Sequence, residues 1–385
     1  MRRHCLSPRQ AQRSFSIGVS IALLAIWLGS CGTNPAATYT PGGPASPTPL
    51  LAPTLTQKTV YVADFNGWDY AFNARDGSPR WKVSIATMFG SPAVAGGNIY
   101  VVDRGGQVYA LNASTGQKLW TAQRRANGGD GEPIVVNGVL YIGTDDGSVY
   151  ALRASDGKLL WRFDAHGAQA HVYLTPAIVN GVVYLGTSGS DNGIYALDAS
   201  SGKPIWHLPI AAGADGSPAV ASGILYIGAR DGNLYALQAS TGAPLWHFQT
   251  GGSIQAMPAV VNDVIYLASF DGWLYALNAS DGSLRWKYKT GGEIWGSPSV
   301  VDGTVYFGSR DGWLYALNAS DGSVRWKYQA SGEVYAYGAP TAVVDGAVYT
   351  SSLDGYVYAL DASTGKLAWK APTDGNVYAA PVVAP

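Results

Sequence analysis

Short runs of alternating hydrophobic and polar residues, separated by turn residues, fill the chain from residue 57 to residue 385. The segments SPSVVDGTVYFGS (297–309) and DGWLYALNASDGSVRW (311–326) contain four such runs: SPSVV, TVYFGS, WLYALNA and the residues around Trp326. Alternation at a period of two predicts β-strands, and the intervening Asp-Gly and Ala-Ser-x-Gly sequences predict tight turns. No copy contains a ten-residue stretch with the period of a helix, which excludes a helical repeat.

This unit occurs eight times, and successive copies are 39 to 45 residues apart. Four antiparallel strands in one unit form a propeller blade, and a closed ring of blades leaves only short exposed edges. The 49 glycines and the 13% of charged residues also suit a turn-rich all-β domain. The sequence therefore predicts an all-β, eight-bladed β-propeller of four-stranded antiparallel blades over residues 57–385.

Each copy ends in a tryptophan, for which we expect a structural role. A large ring on the outer strand can wedge between neighbouring blades and bury on the order of 200 Å². We therefore assign these residues to docking between blades and not to a ligand. They are Trp81, Trp120, Trp161, Trp206, Trp246, Trp286, Trp326 and Trp369.

Two segments compete for the inner strand of the first blade, which contains Trp81. One is residues 52–55, immediately before that blade, and the other is the C-terminal segment 376–383. The C-terminal segment repeats the aromatic lead-in and apolar pair of residues 293–300, whereas residues 52–55 merge with a Pro-rich stretch. We expect the C-terminal segment to close the ring.

The N-terminus has the order of charge and hydropathy typical of a secretory signal. Four arginines and no acid precede an apolar run at 15–28, and the run is shorter than a membrane-spanning helix requires. It ends in Leu-Gly-Ser-Cys31, which resembles a bacterial lipoprotein processing box and implies a diacylglycerol on Cys31. We expect a lipoprotein signal at 1–30, a lipidated Cys31 and a disordered Pro/Thr/Gly-rich tether at 31–56, and hence an extracytoplasmic, membrane-anchored protein.

Charge and cysteine content exclude several classes of protein. Beyond residue 30 the chain has 26 acidic and 21 basic residues, a net charge of −5, and no Lys/Arg-rich segment that could follow phosphates, so we expect no nucleic-acid partner. The two cysteines, Cys5 and Cys31, both precede the propeller, which can therefore form no disulfide.

The connections between blades vary among the copies in both length and character, and the strand order places them on one face. Three residues before the proline of each connection, aromatic, acidic or amide side chains are predicted to form a ring around one mouth of the channel. This ring either binds a peptide, a sugar or a flat ligand, or it packs between loops. The positions are Phe89, Asp130, Tyr173, Asp215, Gln255, Trp295, Tyr337 and Tyr378.

Metal-binding candidates are few. Glu293 and Glu333 occupy equivalent places in adjacent copies and could share a hard cation, but two acids do not make a site and a solvated pair is the alternative. The histidines lack a third ligand at regular spacing. The sequence therefore predicts no metal site.

The motif Tyr-Ala-Leu-x-Ala-x-x-Gly-x-x-x-Trp resembles the tryptophan-docking repeat of the pyrroloquinoline-quinone (PQQ) quinoprotein propellers. The resemblance spans residues 57–385 and implies the propeller fold. Quinoprotein dehydrogenases of this kind bind PQQ and calcium under an adjacent-cysteine disulfide, but the repeat also occurs in non-enzymatic outer-membrane protein assembly lipoproteins. Here the cysteine pair is absent and the connections are short, so we expect neither PQQ nor calcium.

These observations lead to three hypotheses about function. The first is a monomeric, non-enzymatic scaffold that is lipid-anchored and binds a protein segment or cell-envelope ligand, as in envelope protein assembly. The second is a PQQ-dependent dehydrogenase. The third is a sensor domain for a small sugar, which depends only on the predicted aromatic ring.

Overall fold

A computed structural model describes residues 58–85, 90–124, 131–166, 170–334 and 340–385. These residues form strands and turns, arranged as eight antiparallel sheets in a ring. The prediction of an all-β, eight-bladed propeller with four-stranded blades is confirmed. No helix long and apolar enough to cross a membrane occurs in these ranges.

Blade 1 is built from the two ends of the domain, and the other seven blades are each continuous in sequence. The strands are β1 (Thr59–Ala63), β2 (Trp68–Asn73) and β3 (Pro79–Ser84) in blade 1; β4 (Ala93–Ala95), β5 (Asn98–Val102), β6 (Gln107–Asn112) and β7 (Lys118–Gln123) in blade 2; β8 (Ile134–Val136), β9 (Val139–Gly143), β10 (Ser148–Arg153) and β11 (Leu159–Asp164) in blade 3; the short β12 (Ala170–His171), then β13 (Ala177–Val179), β14 (Val182–Gly189), β15 (Gly193–Asp198) and β16 (Pro204–Pro209) in blade 4; β17 (Ala219–Ala221), β18 (Ile224–Gly228), β19 (Asn233–Gln238) and β20 (Pro244–Gln249) in blade 5; β21 (Ala259–Val261), β22 (Val264–Ala268), β23 (Trp273–Asn278) and β24 (Leu284–Lys289) in blade 6; β25 (Ser299–Val301), β26 (Thr304–Gly308), β27 (Trp313–Asn318) and β28 (Val324–Gln329) in blade 7; β29 (Ala342–Val344), β30 (Ala347–Ser352), β31 (Tyr356–Asp361) and β32 (Leu367–Pro372) in blade 8; and β33 (Val382–Ala384), which completes blade 1.

We name the four strands of each blade A to D from the channel outward. Strand A has three residues and contacts strand A of a neighbouring blade, as β21 contacts β25. Strands B and C are almost fully buried, whereas strand D alternates between exposed and partly buried residues, as in β24. The core is therefore a set of layers between blades, since the side chains on both faces of each sheet meet a neighbouring sheet.

The C-terminal segment closes the ring, as predicted. Strand β33 is the inner strand of blade 1 and pairs antiparallel with β1 through Thr59–Ala384, Val60–Val383 and Tyr61–Val382. Both strands also pack into the layers on either side, because Val60 and Val383 belong to one cluster and Tyr61 and Ala384 to the next. Residues 52–55 lie outside the described ranges.

The tryptophans lie where strand D of one blade meets the next blade. The ring of Trp326 covers Gly365 in the C-to-D turn of blade 8, where a Cβ would approach the indole to 2.6 Å. Gly365 also has a φ of 69°, so only glycine suits both the turn and the contact. The same pairing recurs at all eight interfaces, through Gly77, Gly116, Gly157, Gly202, Gly242, Gly282, Gly322 and Gly365.

A hydrogen bond fixes the orientation of most of these rings. The indole N–H of Trp326 donates to the carbonyl oxygen of Ala362 at 2.9 Å, and the hydroxyl of Tyr306 on strand B donates to the same oxygen at 3.0 Å. Trp246 differs, because its buried N–H has no hydrogen-bond partner among the described residues. At that interface the hydroxyl of Tyr226 is the donor to Ala279, at 3.0 Å.

This difference gives a matched test of the docking contact. Trp326→Phe should lower the free energy of unfolding by about 1 kcal/mol more than Trp246→Phe does, because only the first substitution removes a hydrogen bond. Both substitutions shorten the ring to the same extent, so the difference isolates the indole N–H. Chemical denaturation of the two variants measures it, and equal losses would contradict the assignment.

Ring closure gives a second test. Deletion of residues 382–385 should lower the melting temperature by roughly 5 °C or more, because β1 loses its inner neighbour and two layers are opened. Val383→Thr retains the backbone pairing and serves as the control. Calorimetry that detects no change on deletion would show that stability does not depend on the β1–β33 pairing.

Candidate functional site

The chain reverses at every strand, which places the D-to-A connections and the B-to-C turns on one face. We call this the connection face, exemplified by connection 290–298 and turn 309–312. The backbone joins the two, because the amide of Arg310 donates to the carbonyl oxygen of Glu293 at 3.0 Å. The A-to-B and C-to-D turns share the opposite face, where Ala279 N–H donates to Asp263 O at 3.0 Å.

Five of the eight predicted ring positions lie in the described part of the connection face. Tyr173, Gln255, Trp295 and Tyr378 are half-buried, and Asp215 is buried. The other three, Phe89, Asp130 and Tyr337, fall outside the described residues, as does the lipidation candidate Cys31.

The predicted residues make their contacts with B-to-C turns, which sequence reasoning did not single out. Trp295 stacks on Phe270, with ring centroids 4.3 Å apart and planes at 17°, and its N–H donates to Glu293 Oε2 at 2.6 Å. Tyr378 packs against Phe65 with centroids 5.5 Å apart. The residue before Asp-Gly or Asn-Gly in each turn varies among copies, and that variation was the available signal.

Glu293 and Glu333 come together around an arginine. Arg310 donates to Glu293 Oε2 at 2.9 Å and to both oxygens of Glu333, at 2.8 and 3.3 Å. The Trp295 N–H and then Arg310 hold the pKa of Glu293 below its usual range, and Glu333 and then Glu293 raise the pKa of Arg310. The two acids are thus ion-paired with one guanidinium that lies between them and are not a free solvated pair.

A second charged cluster lies in blades 3 to 5. The carboxylate of Asp215, 2% exposed, forms a salt bridge with Arg230, whose side chain is 46% exposed. The Arg230 guanidinium is 6.0 Å from the ring of Tyr173, which in turn stacks on His171. Arg230 therefore links two of the predicted positions. The backbone carbonyl of Gln255 accepts from Ser217 N–H at 3.3 Å, and its buried side-chain oxygen has no hydrogen-bond partner in the described part of the chain.

Closer to the channel, a buried acid joins three blades. Glu132 is 4% exposed, accepts the Ser91 amide at 3.1 Å through Oε1 and accepts the Thr175 hydroxyl at 3.0 Å through Oε2. Burial raises its pKa, although the bonds from Ser91 and Thr175 act in the opposite direction. Sequence analysis missed this residue, whose signal was an acid before the proline where the equivalent positions carry no charge.

The arrangement defines a class of protein: a propeller of tryptophan-ending repeats with near-identical blades and one variable face. The sequence matches the family model for outer membrane protein assembly factor BamB over residues 43–129, 66–217, 126–248, 190–336 and 333–385. The chain belongs to this family. No curated protein matches it.

Solved structures support the fold. BamB from Moraxella catarrhalis superposes with a TM-score of 0.63 at 20% identity, covering 78% of this chain and 90% of that one. The computationally designed Ika8 protein superposes with a TM-score of 0.65 at 17% identity, covering 77% of this chain and 92% of that one. Quinohemoprotein alcohol dehydrogenase from Comamonas testosteroni superposes with a TM-score of 0.63 at 16% identity, covering 83% of this chain and 70% of that one. At these identities the likeness shows the fold alone.

The residues present do not fit the PQQ and calcium that the quinoprotein resemblance implies. Within the described ranges no three His, Cys, Asp or Glu side chains come together in a metal-binding group. The two cysteines of the sequence, Cys5 and Cys31, are not adjacent and precede the propeller.

Glu132 gives a pH-dependent test. Folding raises the pKa of this acid above the value of about 4.3 that a glutamate has in an unfolded chain. As pH rises from that unfolded pKa to the folded pKa, the acid loses its proton more readily in the unfolded chain, and the stability of the folded protein falls. Glu132→Gln should therefore become more stable relative to wild type between pH 4 and pH 7, by roughly 1.4 kcal/mol for each unit by which the pKa is raised. Unfolding free energies at several pH values measure the gap.

Asp302→Asn, an exposed change on the opposite face, is the control for general charge effects. A gap between Glu132→Gln and wild type that is constant with pH would show that Glu132 is ionised equally in the folded and unfolded states.

Proposed function

We propose that this chain is a non-enzymatic, extracytoplasmic scaffold that binds a protein segment through its connection face and acts in envelope protein assembly. The observation that carries the proposal is the contrast between the two faces. The C-to-D turns repeat nearly the same Asn/Asp-Ala-Ser-x-Gly sequence, whereas the B-to-C turns and D-to-A connections differ from blade to blade. Membership in the BamB family supports an assembly role and an envelope location.

The connection face has the chemistry of a protein-binding surface. Trp295 is a half-buried aromatic held by Phe270, and next to it Arg310 is exposed with two acids around it. Aromatic residues and arginine are enriched at such interfaces. Because Trp295 and Arg310 are already fixed by neighbours, a partner would bind them with little loss of side-chain entropy.

Anchoring belongs to the same proposal. A lipid on Cys31 and a tether over residues 31–56 would hold the propeller near a membrane surface while leaving it free to rotate. Radiolabelled lipid incorporation, lost in Cys31→Ser, would test the anchor independently of any partner.

Site-specific photocrosslinking tests the binding face. A crosslinking residue at position 353, in the B-to-C turn of blade 8, should capture envelope proteins in cells, whereas one at position 321, exposed in a C-to-D turn of blade 7, should capture few. Trp295→Ala with Arg310→Ala should reduce capture from position 353 by about tenfold. Mass spectrometry identifies the captured partners.

Equal capture at positions 353 and 321 would reject the connection face. Addition of PQQ and calcium to the purified chain tests the enzymatic alternative. A bound chromophore with dye-linked oxidation of an alcohol or sugar would overturn the scaffold proposal.

A further inference from the structure

The interface between blades 2 and 3 differs from the interface between blades 5 and 6 at three positions that lie together. In blades 3, 5, 6 and 7 an aromatic residue two positions after the tryptophan packs on the strand C tyrosine of the next blade. Phe248 lies 5.4 Å from Tyr275, and Tyr288 lies 5.6 Å from Tyr315, between ring centroids. In blade 2 this position is Ala122, and blade 8 also has an alanine there, Ala371. Ala122 lines a groove of about 480 Å³ between blades 2 and 3.

The second departure is a buried arginine. Four residues after the tryptophan, blades 5, 6 and 8 have a threonine; Thr250 donates to the carbonyl oxygen of Gly232 at 2.9 Å. Blade 2 has Arg124 there, which lines the groove and is only 4% exposed. Its Nε donates to Gly106 O at 2.8 Å, in place of the threonine hydroxyl. Its Nη1 and Nη2 atoms are buried and have no hydrogen-bond partner in the described chain.

The third departure is the tyrosine that faces Arg124. In the other seven blades the strand C tyrosine donates to an aspartate of its own B-to-C turn, as Tyr275 does to Asp271 at 2.7 Å. In blade 3 the equivalent Asp146 instead accepts from Thr144 and Ser148. The buried hydroxyl of Tyr150 therefore has no hydrogen-bond partner among the described residues. Its ring lies between two guanidinium groups, 5.7 Å from Arg124 and 5.3 Å from Arg162.

Unpaired buried donors of this kind require an acceptor. Burial lowers the pKa of Arg124 to about 10, which still leaves it cationic at neutral pH. Asp103, Asp145 and Asp146 favour that charge from a distance but accept no hydrogen bond from Nη1 or Nη2. Two parallel N–H groups of a guanidinium match the two oxygens of a carboxylate, and a tyrosine hydroxyl can add a third bond.

We infer that the groove between blades 2 and 3 binds a small organic carboxylate, with its oxygens on Arg124 and Tyr150. The rest of the ligand would lie along Leu152, Leu159 and Ala122, which line the same groove. These apolar walls favour a carboxylate with a short aliphatic chain over an inorganic anion. The site is on the outer side of the ring and does not depend on the proposed function.

Calorimetric titration of the full chain with sodium butyrate tests the inference. We expect saturable binding by the wild type, weaker binding of acetate because its chain is shorter, and no binding of butylammonium. Arg124→Thr restores the residue of the repeat, whose hydroxyl can donate to Gly106 as Thr250 does to Gly232, so this variant should fold. It should bind butyrate at least about tenfold more weakly, since it loses charged hydrogen bonds.

Ala122→Phe introduces the aromatic residue that blades 3 and 5 have at this position, and it should abolish binding because it fills the groove. Phe248→Ala opens the equivalent groove between blades 5 and 6, where Thr250 replaces the arginine, and should create no new binding. Binding that survives both Arg124→Thr and Ala122→Phe, or no saturable heat with wild type, would overturn the site. Sulfate binding as tightly as butyrate would overturn the assignment to an aliphatic carboxylate.

Discussion

The contact between a tryptophan ring and a glycine in the next blade constrains the rest of this structure. This position cannot carry a side chain, because a Cβ would lie within 3 Å of the indole. It must also adopt a positive φ, because the C-to-D turn requires one. A single residue type thus satisfies the turn within one blade and the docking of another. Because every interface repeats this pairing, the spacing between blades is uniform, and strands B and C can bury the same tyrosine, alanine and leucine pattern throughout.

Uniform packing leaves specificity to the places where a copy departs from the others. On the connection face, exchanging one turn residue replaces an aromatic contact, such as Phe65 with Tyr378, by an ionic one, such as Arg310 with Glu333. The backbone hardly needs to change, since the connection follows the turn through similar main-chain hydrogen bonds at Phe65, Phe270 and Arg310. The fold can therefore vary its surface chemistry at little cost to its core.

Sequence reasoning was sufficient for the features that repeat. Period-two alternation and the eight tryptophans predicted the blades, and the likeness of residues 376–383 to 293–300 predicted which end closes the ring. It did not find Arg310, Glu132 or Arg124, because the importance of each depends on neighbours from other blades, and Glu132 and Arg124 each occur in one copy only. Along the sequence, Arg310 is 17 positions from Glu293 and 23 from Glu333. Glu132 is 41 positions from its partner Ser91 and 43 from its partner Thr175. Pairings at those separations become visible only when the register between blades is known.

The pairing of β33 with β1 also bears on the order of folding. Blades 2 to 8 are each local in sequence, so they can form and stack one after another as the chain emerges N-terminus first, each on the one before. The β1–β33 pairing joins residues more than 300 positions apart, and closing so long a loop is the slowest kind of contact to make. Until it forms, β1 has an unpaired edge and the layers on either side of blade 1 are incomplete. The interval between the emergence of the first and last strands is therefore when this chain is most exposed to pairing with another copy of itself.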